Sequence, residues 1–448
     1  MPTMNAVKIL VLIWALSGTF VSKAQSLFDS TRLVKIKTVK GNISPKSVVY
    51  AGNGKFFAQN MMYKHSITVY DSTGELLKTI KDTIRLSNYG VKGKEGVFEG
   101  APVEACLTPD EKYMWVSNYE MYGKGFDKPG CDACHSDTLY DKSYLYGINT
   151  ETLEIDKIAE AGSIPKFMAV SPDGKYLAVS NWSSNDVSMI DPVSGVLLKT
   201  LKVGRHPRGV IFNENSTKAY IAIMGGDAIS EIDINTWKIS KHEKIGDAPR
   251  HLLLNDSCLY YSLNNEAKVR KWNLKTGEKT TVRVGNQPRS MSISSDGAYI
   301  YVVNYRSATL NKVRTLDMKI VQTVKTNPKP IGVTVDLDND KVWVACYGGT
   351  LLIFDEKKKE KQLLSTTVLN SSGEIDSPYH IIAGSFPNKR DANFYAKRLE
   401  KKGYTAIVLP SSKGRYRISV FQTESRLDAN KNLKNYRRIR KDVWILRT

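Results

Sequence analysis

Pro165-Lys166-Phe167-Met168-Ala169-Val170-Ser171-Pro172-Asp173-Gly174-Lys175-Tyr176-Leu177-Ala178-Val179-Ser180-Asn181 is the stretch that decides the fold. Two runs alternate apolar and polar side chains at period two around an Asp-Gly turn, which is the pattern of an antiparallel hairpin. The same order returns at Pro207, Pro249, Pro288 and Pro330, in steps of 42, 42, 39 and 42 residues. Upstream, Pro45 and Pro102 open two longer units, with the surplus in insertions near residues 85–100 and 119–142. A period of about 40 residues with about four strands marks a propeller blade, because one such sheet cannot bury its own faces and must stack on its neighbours.

Seven starts predict a mainly β fold, a seven-bladed propeller over residues 32–358. The last unit runs out after its third strand, Thr350-Leu351-Leu352-Ile353-Phe354. Residues 33–39 precede Ser44-Pro45 as residues 197–203 precede His206-Pro207, so the N-terminal strand is expected to complete the last blade. Closure of that kind leaves no open sheet edge to aggregate. Trp115-Val116-Ser117-Asn118, Ala178-Val179-Ser180-Asn181 and Tyr301-Val302-Val303-Asn304 resemble the Tyr-Val-Thr-Asn strand of YVTN-type β-propeller repeats. The resemblance implies the fold; propellers host binding proteins and enzymes alike.

The first residues read as a secretory signal over 1–24: Lys8, an apolar run over 9–21, and small residues before Gln25. The mature chain is therefore expected outside the cytoplasm. The net charge of +20 is uneven, with 17 Lys and Arg against five Asp and Glu from residue 379 onward. Such a basic tail suits an anionic surface or nucleic acid, and export argues against nucleic acid.

That tail, residues 379–448, follows a polar linker over 359–378 and reads strand, helix, strand, strand, helix, strand. This is a split β-α-β pattern on a four-stranded sheet. His380-Ile381-Ile382-Ala383-Gly384-Ser385-Phe386, Gly403-Tyr404, Tyr416-Arg417-Ile418-Ser419-Val420-Phe421 and Trp444 resemble a SPOR domain, a small RNP-like α+β module. The resemblance implies binding to peptidoglycan glycan strands stripped of stem peptides, and a place in the envelope or periplasm at the division septum. It also implies glycan contacts at Ser385 and Tyr416, with Ile382 where the family carries Gln; Trp444 is a candidate second platform, and Arg415 and Arg417 are candidates to meet wall carboxylates. Phe386 reads as core and Tyr416 as a surface platform for sugars.

Two further features carry chemistry. The residue after the anchor proline is Lys46, Lys166, Arg208, Arg250 or Arg289 in five units, with Val103 and Ile331 in the others. Turned toward a common axis, these cations would form a mouth for a small anionic ligand; turned outward, they are a solvated ring. Cys131-Asp132-Ala133-Cys134-His135 fits c-type haem attachment, with Met121 a candidate axial ligand, and fits equally a local disulfide or an incomplete zinc set. Cys258 and Cys346 sit in apolar strands and read as buried small hydrophobes. No Ser/His/Asp set or diagnostic carboxylate pair stands out. The expectation is an envelope binding protein without a cofactor, whose propeller presents a platform to another envelope protein or a small anion. The alternative is a periplasmic haem redox protein.

Overall fold

The computed structural model describes residues 31–61, 64–134, 139–358, 379–400, 404–411, 414–423, 425–437 and 443–447. The expected signal segment, His135, Gly403 and the expected linker lie outside the described residues. The chain divides into two compact units, Met1–Glu360 and Lys361–Thr448.

In the first unit every anchor proline opens the first strand of a four-stranded antiparallel sheet. Those first strands are Pro45–Tyr50, Pro102–Leu107, Pro165–Val170, Pro207–Phe212, Pro249–Asn255, Pro288–Ile293 and Pro330–Val335. The repetition makes a β-propeller-like region. Strands buried on both sides need apolar residues in both phases of the pleat. Phe56 and Ala58 pack toward Trp343 and Ala345 of the last sheet, while Phe57 between them packs toward Met114 and Val116 of the next. Trp115 in turn packs forward on Leu177 and Val179. The pattern repeats through all the sheets, and the succession closes where Phe56 stacks on Trp343 at 4.0 Å between ring centroids.

Closure uses the strand that the sequence singles out. Thr31–Val39 pairs antiparallel with Thr350–Lys358, from Thr31 opposite Lys358 to Val39 opposite Leu351. Side chains lock the seam to the adjoining sheet: Gln322 accepts from the Leu33 amide (2.8 Å) and donates back to its carbonyl (3.0 Å). Glu356 accepts from Lys312 at 2.7 Å, from Thr31 at 2.9 Å and from the Tyr301 hydroxyl.

The two insertions fold onto each other. Ile84, Leu86, Phe98 and Met121 join Tyr144 and Tyr146 in a satellite core. Met121 is thus buried packing with Tyr146 rather than an axial ligand. Cys346 is buried as expected, whereas Cys258 is only partly so, because it opens its strand beside a turn.

In the second unit the strand order is Ile407–Pro410, Tyr416–Thr423, Tyr379–Phe386, Trp444–Arg447, all antiparallel. Helix α1, Lys389–Glu400, buries Ala392, Ala396 and Leu399 on one face. It starts earlier than the apolar spacing alone indicates, because Asn388 caps it: its Oδ1 accepts from the Asp391 amide at 2.9 Å. Helix α2 is Arg426–Tyr436.

Lys312 is 1% exposed, so Glu356→Ala would strand a buried ammonium. The expected cost is about 3–5 kcal/mol in chemical unfolding followed by tryptophan fluorescence. Glu154→Ala, which removes an exposed carboxylate from half-buried Lys78, should cost less than about 1 kcal/mol.

Candidate functional site

The post-proline cations converge. In every sheet the register slips directly after the anchor proline, a bulge that places one extra residue on the first strand. Bulges re-aim side chains. Here they bring both the first and second residues after proline toward the common axis, since Arg208 (first) meets Glu104 (second, from another sheet) at 2.9 Å. The residue before proline is left-handed in five units: Ile164, His206, Ala248, Gln287 and Lys329, with φ of 54, 52, 52, 54 and 59°. Holding non-glycine residues there costs about 1–2 kcal/mol each, so the surrounding loops must enforce it.

The Val-Ser-Asn strands supply part of that enforcement. The Ser117 hydroxyl donates to the Lys166 carbonyl at 2.8 Å, and Ser180 to the Arg208 carbonyl at 2.6 Å. Each fixes the backbone of the next sheet's cation. At Gly209 an added Cβ would lie 2.7 Å from the Arg250 carbonyl oxygen, so only glycine allows this approach.

Lys166, Arg208 and Arg250 are buried, and Lys46 and Arg289 are partly buried. Aromatic faces surround them. Lys46 lies 4.7 Å over Tyr347, Lys166 4.1 Å over Tyr119 and 5.5 Å over Trp182, and Arg289 4.6 Å over Tyr305. The aromatics occupy one repeat position, the residue after the second strand; Met224 fills it beside Arg250. Below the cations, Glu104 and His251 line an axial cavity of about 480 Å³ with apolar walls that include Val48, Phe167 and Leu252.

Charge crowding shifts the protonation of these groups. Burial, then Arg208 and Arg250, push Lys46 down to about 8. Burial, then Arg289 and Arg208, carry Arg250 well below its ordinary value. Burial and the same guanidinium neighbours, Arg208 and Arg250, take His251 to about 3, so it is neutral. Burial raises the Glu104 carboxyl, and Arg208, Arg250 and Lys46 oppose the rise.

The Cys-x-x-Cys segment meets this mouth. Cys131 and Cys134 are joined in a disulfide. With both sulfurs engaged, neither is available to bond a porphyrin vinyl group, and residues 131–133 are exposed rather than set in an apolar pocket. The segment does not fit haem attachment. Among the described residues no metal-ligand cluster forms. Asp132 accepts from Lys166 at 2.8 Å and from the Tyr119 hydroxyl at 3.2 Å. Trp182 donates to the Asp132 carbonyl, and Ser183 to that of Cys131. Burial works against the Asp132 carboxylate, but Lys166, with Lys46 and Arg208, outweighs it and holds the group at about 2.

In the second unit the register sorts the expected glycan residues between two faces. Ile382, Ser385, Arg417 and Trp444 share the face opposite the helices: Ile382 is opposite Ser419 and Trp444, and Ser385 is opposite Arg417. Tyr416 does not join them. It is in phase with Ile418, opposite Phe386, and packs partly buried on the helix-side core. The expected surface platform is therefore a core-edge side chain, and Phe386, read as core, is likewise partly buried at that edge. Ile382 is fully buried despite its face. Arg415 binds Ser385 twice, from Nε to the hydroxyl (3.0 Å) and from Nη2 to the carbonyl (3.1 Å). Glu104, Asp132 and the aromatic set are the residues that sequence reasoning missed. Only the aromatics left a trace, as a recurrent position.

The SPOR domain family model matches residues 376–447. The second unit is a SPOR domain, which indicates a peptidoglycan-binding, cell-envelope function. Over 338 residues the chain is 24% identical to "Antigen Lp49" of Leptospira interrogans serogroup Icterohaemorrhagiae serovar copenhageni (strain Fiocruz L1-130). The match takes in 68% of this chain and 65% of the length of that relative. No helix among the described residues is long and apolar enough to cross a membrane.

Lys46 holds its proton less tightly in the folded chain than in the unfolded one. The folded state is therefore penalised at neutral pH, and the penalty fades as pH rises from about 8 through the unfolded value of 10.5. The thermal midpoint of the wild type should gain on that of Lys46→Met across this window. Parallel curves would show that Lys46 is not held in a cationic crowd.

Proposed function

We propose that this is an exported envelope protein that docks on peptidoglycan glycan strands through its SPOR domain and offers its first unit as an interaction or ligand-binding platform. The reading takes residues 1–24 as a signal peptide, 32–358 as a seven-bladed YVTN-type propeller, 359–378 as a linker and 379–448 as the wall-binding module at the septum. Support for the propeller comes from the cyclic packing of its sheets and from the Ser117 and Ser180 bonds of the Val-Ser-Asn strands. The observation that carries the function is the SPOR match, joined to a sheet face that bears Trp444, Arg417 and Ser385. Sugars present apolar CH faces and hydroxyls, which an indole plane beside charged donors complements. Trp444 replaces Tyr416 as the stacking side chain in this reading. No catalytic role is assigned.

Full-length protein should co-sediment with amidase-treated sacculi, and Trp444→Ala should weaken the binding about tenfold, or about 1.4 kcal/mol. Arg417→Ala should weaken it less. An unrelated protein of equal positive charge should stay in the supernatant at physiological salt, where surface charge is screened. Equal pelleting of that control would reduce the binding to charge.

A further inference from the structure

The crowd of cations at the first unit's axis is not neutralised. Five cations, Lys46, Lys166, Arg208, Arg250 and Arg289, face two carboxylates, Glu104 and Asp132. Glu104 is committed to Arg208, and Asp132 to Lys166. Among the described residues neither Arg250 nor Arg289 has a carboxylate partner: Arg250 donates to the Met224 sulfur at 3.3 Å and Arg289 to Gln287 at 3.4 Å. Arg208 is 5% exposed, and among the described residues its Nη1 has no partner; nor has Nε of Arg289. Buried guanidinium N–H groups left unpaired are costly, and like charges in contact add to the cost. A site that keeps them is built for something that completes it.

The chemistry of the completing group is on view. Both anions that the cluster already holds are carboxylates, and guanidinium forks match carboxylate geometry in bidentate pairs. Asp132 reaches the cluster from a disulfide-closed segment, with its side chain 73% exposed, as an external carboxylate would. We propose that the mouth formed by Lys46, Arg208, Arg250 and Arg289, rimmed by Tyr305 and Tyr347, binds a ligand with two or more carboxylates, and that Asp132 occupies the position of one further carboxylate beside Lys166. This names the ligand class for the platform proposed above, and it stands independently of wall binding.

The test is calorimetric titration of full-length protein with citrate, at constant ionic strength, beside inorganic phosphate and acetate. Citrate should bind with one site per chain, and acetate should not. Arg289→Gln and Lys46→Gln, both at partly exposed positions, should each weaken citrate at least about tenfold. Arg250→Gln should do so more strongly, and circular dichroism reports whether that buried change leaves the fold intact. Asp132→Asn, which removes a resident negative charge, should tighten citrate at least about threefold. Sacculus binding, measured on the same proteins, should not change, so failure here is distinguishable from failure of the wall-binding reading. No heat with citrate, phosphate bound as tightly as citrate, or Arg289→Gln and Lys46→Gln both binding like the wild type would overturn the proposal.

Discussion

Every sheet in the first unit has two apolar faces, and this constraint governs the rest. Adjacent side chains on one strand, Phe56 and Phe57, are buried against different neighbours. A linear stack would leave its two terminal faces wet. At about 25 cal/mol per Å² of apolar surface, exposing the two faces that meet there, Phe56 on one sheet and Trp343 and Ile353 on the other, would offset much of a domain's net stability. Closing the succession removes both ends at once. The closing strand buries only Leu33 and Val39, so its register is also secured by polar side chains that specify one partner, the Gln322 clamp on Leu33 and the Glu356 cluster.

The same closure creates the electrostatic problem at the axis. Equivalent positions of a cyclic succession are brought together whether or not their charges agree. Aromatic faces, a committed Glu104 and the borrowed Asp132 relieve part of the repulsion. The relief is local: Lys166 and Arg208 each gain a carboxylate, and Arg250 gains only a thioether. The cationic character of the mouth thus follows from a scaffold requirement plus the choice of residue after one proline.

Much of this was legible in the sequence, and the failures have physical causes. The prolines, the period-two runs and the strand at residues 33–39 could be read because they repeat, and repetition is what a stacked architecture imposes. The convergence of Lys46, Lys166, Arg208, Arg250 and Arg289 could be posed as a question for the same reason. Glu104 was invisible because the unit with Val103 after its proline looked like an exception. The bulge puts the following residue on the axis too, and a bulge leaves no mark in side-chain alternation. Asp132 lies in an insertion that has no phase in the repeat. Tyr416 was misassigned because register shifts between Ile381 and Gly384 break simple alternation across the sheet, so which phase faces the helices cannot be counted from the strand alone.

The seam has a mechanical corollary. Thr31 lies directly across from Lys358, so the first and last described residues of the first unit sit side by side. Tension between those ends would part the pairing one rung at a time, like a zip, the weakest way to load a sheet. Tension entering at Lys358 alone, with the other end slack, puts no such peeling force across the pair. A propeller-like unit loaded at that single strand can therefore be dragged without being opened.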